Sequence, residues 1–270
     1  MSRPVITFLS DYGIADDFVG VCHGVIARIC PQALVIDITH GVPRHDARAG
    51  ALILSGSLAY MPAGVHLAVV DPGVGGERRA IALRAADGRL FVGPDNGLLM
   101  PAAEQSGGVV EAVDVSRSQF RLQPVSATFH GRDIFAPVAA QLASGVDLAE
   151  TGEPCNPDAL ITFALPPARH EDGALVARAI YVDRFGNVQL NAGHEDLAGT
   201  GLKLGHRAQL ELGAEKRHEA HFALTFADVE PGELILYEDA YRRLALAVSH
   251  GNAASVIGVA VDDELRLRPA

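Results

Sequence analysis

The sequence predicts an α/β N-terminal domain with a largely parallel sheet, followed by a second, all-β domain. In the first half, short apolar runs alternate with helical patterns, which is typical of right-handed βαβ units. Further along, short β-branched runs lie close together between turn residues, as in a small antiparallel barrel or sandwich. A polar, proline-bearing stretch separates the two patterns. We therefore expect an N-terminal domain at 1–165, a linker at 166–172 and a C-terminal domain at 173–270.

The individual elements follow from apolar runs and from residues that start or stop helices. In the first half, strands are predicted at Val5–Leu9, Leu34–Ile38, Val65–Val70, Ala80–Leu83, Leu90–Val92 and Val109–Val113. Helices are predicted after the acidic caps Asp16-Asp17 and Asp46 and from Gly131, ending near Cys30, Tyr60 and Gly145. In the second half, the predicted strands are Leu175–Val182, Asn187–Leu190, Ala208–Leu212, Leu234–Leu236, Leu244–Val248 and Val256–Val261.

The composition is that of a folded, acidic protein. Hydrophobic residues make up 49% of the 270 residues and charged residues 20%, which is enough apolar surface for a substantial core. The 22 basic and 33 acidic residues give a net charge of −11. This charge argues against a nucleic-acid partner, because such a partner requires a basic surface.

The cysteine pattern and the hydropathy of the chain predict its cellular compartment. The three cysteines form no CxxC pair, so neither a disulfide framework nor a zinc site is predicted, and a reducing compartment fits. The most apolar stretch, Ala49–Met61, is interrupted by glycine and serine and is too short to span a bilayer. The first residues lack a secretory apolar segment. We expect a soluble, cytoplasmic protein with no membrane partner.

The most informative segment is Asp71-Pro72-Gly73-Val74-Gly75-Gly76-Glu77-Arg78-Arg79. Asp71 lies where a predicted apolar strand ends, and strand ends are where α/β sheets present side chains to ligands. The glycines let the backbone turn sharply and approach a ligand closely. A charged pair held on such a turn indicates a site. The alternative is a connecting turn that carries a solvated salt bridge.

Two further residues of the first half lie next to predicted element ends. Asp11 follows the first strand, where a carboxylate can accept hydrogen bonds from a ribose diol or can simply form an Asx turn. His130 lies just before a predicted helix, whose dipole disfavours the imidazolium. It can therefore serve as a neutral acceptor or base, or it can satisfy a backbone group at the helix start.

In the second half, Asp183, Phe185 and Asn187 follow a predicted strand. The carboxylate can hold an ammonium group, the ring can stack on a base, and the amide can bind a carboxylate or another amide. The same residues also form ordinary β-turns. Asn252 and Ala253 can offer backbone groups to an adenine edge or can start a helix.

A metal site is a further alternative. His40, His45 and Asp46, together with Asp11 and Asp16, provide suitable donor atoms. Their spacing matches no recognised metal-binding pattern. A polar loop is the simpler interpretation, and we predict no metal.

Taken together and in this order, five motifs resemble the S-adenosyl-L-methionine (SAM) hydroxide adenosyltransferase family, the adenosine-forming SAM hydrolases related to the SAM-dependent fluorinase and chlorinase. The motifs are Ser10-Asp11-Tyr12-Gly13 with Asp16-Asp17, Asp71-Pro72-Gly73-Val74-Gly75 with Arg78, Gly93-Pro94-Asp95-Asn96-Gly97-Leu98, Phe129-His130-Gly131-Arg132-Asp133 and Phe185-Gly186-Asn187. The resemblance implies a C-terminal β-barrel. It also implies a homotrimer with each site between one subunit's N-terminal domain and its neighbour's C-terminal domain.

The resemblance implies roles for individual residues. The catalytic set corresponds to Asp71, Arg78 and His130, and the acid that binds the ribose hydroxyls corresponds to Asp11. The remaining substrate contacts correspond to Phe129 and Phe185 as pocket-lining aromatics, Asp183 and Asn187 at the methionine end, and Asn252 and Ala253 at the adenine. No cofactor is implied, because SAM is the substrate.

Departures from the halogenases indicate a water-using enzyme. The halogenases carry a serine at the position of Gly131 and a tyrosine at the position of Asp71. Their Asn-Ser pair that contacts the amino-acid portion is Asp239-Ala240 here, so these two residues are left out of the site. The predicted activity is hydrolysis of SAM to adenosine and L-methionine by attack of water at the ribose C5′. The alternatives are a non-catalytic SAM or adenosine sensor, a metal-dependent hydrolase and a halogenase.

Overall fold

The computed structural model describes residues 3–213 and 216–270. The chain divides into two compact units, Met1–Phe163 and Ala164–Ala270. The stretch 166–172, given above as a linker, lies in the second unit and contains a three-residue strand, Arg169–Glu171, which pairs with the strand that follows it.

The first unit alternates strands and helices through most of its length. Its elements are β1 (Val5–Ser10), α1 (Phe18–Ile29), β2 (Leu34–Thr39), α2 (Ala47–Leu58), β3 (Val65–Val69), β4 (Ala80–Ala85), β5 (Leu90–Pro94), α3 (Met100–Gln105), β6 (Val109–Asp114), α4 (Ala136–Ala143) and β7 (Glu153–Pro154). A π-helical turn, Gly131–Phe135, leads directly into α4.

The sheet of the first unit has the strand order β2-β1-β3-β5-β4-β6-β7. Its first four strands are parallel, as the alternating pattern predicted, and β4, β6 and β7 extend it with antiparallel pairs. All five residues of β3 are buried, as expected for a central parallel strand covered on both faces. Ser10 of β1 lies opposite Val69 of β3, so the loops after these two strands leave the sheet at the same edge.

The helices begin close to their predicted caps. The Asp46 side chain accepts a hydrogen bond from the Ala49 amide at 2.8 Å and caps α2. Asp17 occupies the cap position of α1, although its side chain makes no capping hydrogen bond. One core cluster packs α1 and α4 against β1 and β3, with Phe8 and Phe135 fully buried in it.

The second unit is built mainly of strands. Its elements are β8 (Arg169–Glu171), β9 (Ala174–Val182), β10 (Val188–Gly193), β11 (Arg207–Leu212), β12 (Lys216–Phe222), β13 (Leu234–Glu238), β14 (Arg243–Val248), α5 (Ala253–Ile257) and β15 (Glu264–Pro269). Seven of them close into a barrel in the order β9-β10-β14-β13-β12-β11-β15, with β15 returning to β9. The pairs are antiparallel except for a short parallel contact between β12 and β13. The predicted barrel is thus confirmed.

In the second unit, one predicted strand is wrong and two strands of the barrel were not predicted. The predicted strand Val256–Val261 is wrong, because Ala253–Ile257 forms helix α5, capped by the Asn252 side chain. A short apolar run cannot be assigned to strand or helix by periodicity alone. Strands β12 and β15 were not predicted. Charged and apolar residues alternate along β15, which is the period of a half-buried strand, so the signal was present in the sequence and was missed.

Within the described residues, no helix combines the length and the apolar character needed to cross a bilayer.

Candidate active site

The centre of the candidate site is an ion pair on the loop after β3. The Arg78 Nε donates to Asp71 Oδ1 at 2.8 Å, and Arg78 Nη2 donates to Asp71 Oδ2. The two side chains are 10% and 6% exposed, so this pair is much better shielded than a surface salt bridge. The two-point contact fixes the plane of the guanidinium relative to the carboxylate. The loop therefore does not carry the solvated salt bridge that was the alternative interpretation of the sequence.

His130 extends the ion pair into a chain of three groups. Arg78 Nη2 lies 2.9 Å from His130 Nδ1, and the two residues are 52 positions apart in the chain. Burial lowers the pKa of His130, and the positive charge of Arg78 lowers it further, whereas Asp71 acts in the opposite direction. A neutral ring accepts the Arg78 hydrogen bond at Nδ1, so its proton resides on Nε2. The structure thus brings together all three residues predicted to be catalytic.

Glycine is required at one point of this loop. Gly75 has φ +77°, and a Cβ atom built on it would overlap the carbonyl oxygen of Ala127. The loop after β3 therefore packs directly against the segment that precedes His130. This close approach holds Arg78 and His130 within hydrogen-bonding distance of each other.

A cavity of about 470 Å³ opens at this edge of the sheet. Asp11, Asp71 and His130 line it, and its volume is in the range of small-molecule sites. Arg78 and His130 also line a neighbouring cavity of about 460 Å³. His130 therefore lines both cavities, whereas Asp71 lines the first and Arg78 the second.

Asp11 also fixes part of the cavity wall. Its Oδ2 accepts a hydrogen bond from the His45 amide at 2.9 Å. His45 has φ +65°, in the left-handed region that non-glycine residues seldom adopt, and it lines the cavity. One carboxylate oxygen of Asp11 thus orders the loop before α2.

Two aromatic residues, Tyr12 and Phe18, line the cavity near His130, whereas Phe129, predicted to line the pocket, packs against them and is not part of the cavity wall. Phe129 packs edge-on against Tyr12 and Phe18, with ring centroids 5.8 and 5.2 Å away. The Arg132 guanidinium lies 5.0 Å from the centroid of the Phe129 ring. Burial, followed by Cys22 and the carboxylates of Asp71 and Asp11, raises the pKa of Tyr12 well above its usual value. The Tyr12 hydroxyl therefore stays protonated at any physiological pH.

In the second unit, a tight turn brings together three of the other predicted site residues. Asp183 Oδ1 accepts hydrogen bonds from the backbone amides of Phe185 and Asn187, at 2.8 and 2.9 Å. Asp183 Oδ2 accepts from the Asn187 side-chain amide at 2.8 Å. Phe185 is 65% exposed, and its ring is covered on one side by Arg184. The turn orders the carboxylate and leaves the aromatic ring accessible.

The last two predicted contacts lie beside this turn. Asn252 packs on Gly186 so closely that a Cβ atom on the glycine would overlap the Asn252 amide. The Ala254 amide donates to the Gly186 carbonyl at 3.0 Å, and Ala253 is fully buried. Asp239 was left out of the site above. Its carboxylate accepts hydrogen bonds from the Gln189 side chain at 2.6 Å and from the backbone amides of Tyr241 and Arg243.

Two residues of the cavity wall were missed as site residues. Tyr12 lies beside Asp11 in the first motif, and only the fold shows that its ring borders the cavity. His45 was considered only as a candidate metal ligand or as part of a polar loop, and its positive φ leaves no signal in the sequence.

The residues proposed as ligands of the alternative metal site line the cavity, but their donor atoms do not form a cluster among the described residues. Asp11, Asp16, His40 and His45 are all part of its wall. In the part of the chain that the structure describes, the group of donor atoms that lies within 4.8 Å of one another is a different one, formed by His23, Asp37 and His40.

Comparisons with known proteins cover both units. The model described as SAM hydroxide adenosyltransferase N-terminal domain matches residues 6–152, and that of the C-terminal domain matches residues 177–266. A protein of Salinispora tropica named (R)-S-adenosyl-L-methionine hydrolase is 49% identical, over 98% of this chain and 97% of the relative. A fluorinase of an Actinoplanes species is 30% identical over 91% of each chain. The crystal structure of an uncharacterized conserved protein from Thermotoga maritima superposes with a TM-score of 0.90, at 35% identity and over 97% of this chain and 99% of that one.

Proposed function

The chain belongs to the SAM hydroxide adenosyltransferase family, and we propose that it hydrolyses SAM to adenosine and L-methionine. The observation that carries this proposal is the chain of hydrogen bonds Asp71–Arg78–His130 at the edge of a ligand-sized cavity. The same three positions were assigned to catalysis from the sequence motifs. Ligand binding alone does not require a shielded carboxylate, a guanidinium and an imidazole in contact with one another.

The difficult step in this reaction is activation of water. The oxygen of water attacks the ribose C5′, the C5′–S bond breaks, and its electron pair stays on sulfur. Methionine leaves as a neutral thioether, so no general acid is needed for the leaving group. The proton that the attacking water loses must be accepted within the site.

We assign that proton to the Asp71 carboxylate, because Asp71 lines the cavity and carries lone pairs not used by Arg78. Arg78 holds a fixed positive charge beside the developing hydroxide, as a preorganised cation does best in a shielded place. His130 presents its Nε2–H and orients the water in line with the C5′–S bond. In this scheme the guanidinium supplies the electrostatic stabilisation, so the reaction needs no metal and no cofactor.

Substrate binding is assigned as the motifs implied. Asp11 accepts hydrogen bonds from the ribose hydroxyls with the oxygen that does not bind the His45 amide, and Phe129 packs against Tyr12, which lines the same cavity. For the second unit, the proposed contacts are Asp183 and Asn187 to the methionine portion, Phe185 to the base, and Asn252 and Ala253 to the adenine edge. The ordered turn and the exposed Phe185 ring support this assignment.

The first experiment is an assay of purified protein with SAM in the presence of EDTA, following adenosine and methionine by chromatography. The (R) and (S) sulfonium epimers are assayed separately, because the hydrolase relatives are named for the (R) form. Equal amounts of both products are expected, and Asp71→Ala, Arg78→Ala and His130→Ala should each lower the rate by about 10²–10³-fold. If all three variants stay within about twofold of wild type, the catalytic assignment is wrong. Binding without turnover would favour the sensor, and formation of 5′-chloroadenosine with chloride would favour a halogenase.

The assembly is proposed as a cytoplasmic homotrimer with each site shared between two subunits. The family resemblance supports the trimer, and the three free cysteines support a reducing compartment. Light scattering tests the trimer directly. If sites are shared, mixing inactive Asp71→Ala with inactive Asp183→Ala subunits should restore part of the activity, because some sites then receive both intact residues. No recovery after subunit exchange would contradict the shared site.

A further inference from the structure

A second cluster of donor atoms lies where helix α1 meets the edge strand β2. His23 extends from α1, Asp37 from β2, and His40 follows β2 directly. Of these three residues, only His40 also lines the candidate active-site cavity. The reaction proposed above makes no use of the cluster.

The distances within the cluster fit a bound ion. Asp37 Oδ1 lies 2.9 Å from His23 Nε2 and 3.1 Å from His40 Nε2. Ligands bonded to a tetrahedral zinc ion at about 2.0–2.1 Å are separated by about 3.3 Å. A small outward shift of the exposed Asp37 side chain would widen both distances to that value and make room for an ion.

The His40 nitrogen distinguishes the cluster from an ordinary histidine–carboxylate contact. His40 is 6% exposed, and its Nε2 is buried without a hydrogen-bond partner among the described residues. It lies 3.1 Å from Asp37 Oδ1 but forms no hydrogen bond with it. A buried polar atom without a hydrogen bond is rare in folded proteins. A lone pair directed at an ion between the three residues would account for it.

The second contact of His40 supports the same interpretation. His40 Nδ1 lies 2.7 Å from the Ser10 hydroxyl oxygen, which also accepts from the Tyr12 amide at 3.3 Å. Metal-binding histidines characteristically donate their other ring N–H to an oxygen acceptor, which orients the ring and fixes the tautomer. If Nδ1 donates to Ser10, the Nε2 lone pair is free for an ion.

From these contacts we infer that His23, Asp37 and His40 form a binding site for a divalent transition-metal ion, best suited to zinc. Two imidazole nitrogens and one carboxylate oxygen favour zinc and its neighbours over magnesium or calcium, which prefer oxygen ligands. His23 and Asp37 are partly exposed, so the ion can enter from solvent and complete its coordination with water. The ion would fasten α1 to the outermost strand of the sheet and take no part in the hydrolysis.

The test uses the full-length protein after treatment with EDTA and removal of the chelator. Zinc chloride is titrated by isothermal calorimetry, and the melting temperature is measured with and without zinc. We expect saturable binding of one ion and a higher melting temperature, while magnesium produces neither. His23→Gln and Asp37→Asn should each weaken zinc binding by about tenfold or more. His206→Gln, which changes an exposed histidine in the second unit, is the control and should bind zinc like wild type.

Several results would overturn the site. These are the absence of saturable zinc binding, equal affinity in His23→Gln and wild type, or equal effects of magnesium and zinc. His23→Gln changes a partly exposed residue and keeps the comparison valid if Asp37→Asn fails to fold. Cobalt(II) gives an independent readout, because its visible absorption should change when the His23 imidazole is removed. Since SAM turnover is measured separately, failure of this site leaves the proposed hydrolysis untouched.

Discussion

The hydroxyl of Tyr12 occupies the space that any side chain at Gly131 would need. A Cβ atom built on Gly131 would lie 3.0 Å from the Tyr12 ring carbon Cζ and would overlap the hydroxyl oxygen. Phe8, Phe18 and Phe129 surround the Tyr12 ring, with centroids 6.4, 5.9 and 5.8 Å away. The ring cannot move aside without disturbing this cluster. With tyrosine at residue 12, any side chain at residue 131 therefore forces the Tyr12 ring to shift.

The first prediction follows from this overlap. Gly131→Ala should lower the free energy of unfolding by about 1–3 kcal/mol, as overpacking does in other protein interiors. Adding Tyr12→Phe should recover part of the loss, because the overlapping oxygen is removed. Urea denaturation of the single and double variants measures the coupling. Gly20→Ala in α1 is the matched control, since nothing lies within 4 Å of the added methyl group. A Gly131→Ala variant as stable as wild type would contradict the packing argument.

The second prediction concerns the geometry of the Arg78 guanidinium. Arg78→Lys keeps the positive charge but cannot contact both Asp71 oxygens and His130 Nδ1 in one plane. We expect kcat for SAM hydrolysis to fall by about 10²-fold, with a much smaller change in KM. Steady-state kinetics test this. The control is Arg117→Lys, an exposed residue on the wall of the neighbouring cavity. Near-normal kcat in Arg78→Lys would show that charge alone suffices.

The third prediction is the acid limb of the pH–rate profile. Burial and Arg78 lower the pKa of His130 below its usual value of 6.5, so the neutral ring persists in mildly acidic solution. Protonation would place a second donor against Arg78 and break their hydrogen bond. We expect kcat/KM to hold as the pH falls through 6.5 and to decline only at lower pH. NMR titration of the His130 ring checks the assignment. An acid limb at or above pH 6.5 would exclude it.

The fourth prediction concerns stability at acid pH. His66 is fully buried on β3, and its burial, more than the nearby Arg89, lowers its pKa to about 4 in the folded protein. The unfolded chain binds a proton at this residue below about pH 6.5, so stability falls as the pH drops through the window between 6.5 and 4. We expect His66 to account for about 2 kcal/mol of the loss between pH 7.5 and 5.

Urea titrations at the two pH values measure this loss. In His66→Gln the residue stays neutral, so the difference between pH 7.5 and pH 5 should shrink by that amount. An unchanged difference would mean that other groups cause the acid sensitivity.

The fifth prediction separates two functions of the Asp11 carboxylate. Asp11→Ala removes the proposed ribose acceptor and the hydrogen bond to the His45 amide, so SAM binding should weaken by about 10–100-fold. His45→Gly keeps that amide, and glycine adopts φ +65° without strain, so binding should change only a few fold. Calorimetry with SAM compares the two variants. Unchanged affinity in Asp11→Ala would remove Asp11 from the ribose role.

Local sequence patterns were enough to locate most strands and helices of the first unit and the loops that carry the site. Apolar runs such as Val65–Val70 and caps such as Asp46 act through neighbouring residues, so local patterns are sufficient to locate them. They also placed Asp11 and Asp71 at strand ends. Local patterns failed at α5, where five apolar and small residues fit a strand or a helix equally well and only the Asn252 cap decides.

Contacts between residues far apart in the chain could be found only from the folded structure. Arg78 reaches His130 because the loop after β3 packs on Ala127, and Tyr12 excludes side chains at Gly131 because an aromatic cluster holds its ring in place. His23 reaches Asp37 only once α1 packs on β2. Such contacts depend on strand register and helix packing, which are set by the whole core rather than by neighbouring residues in the chain.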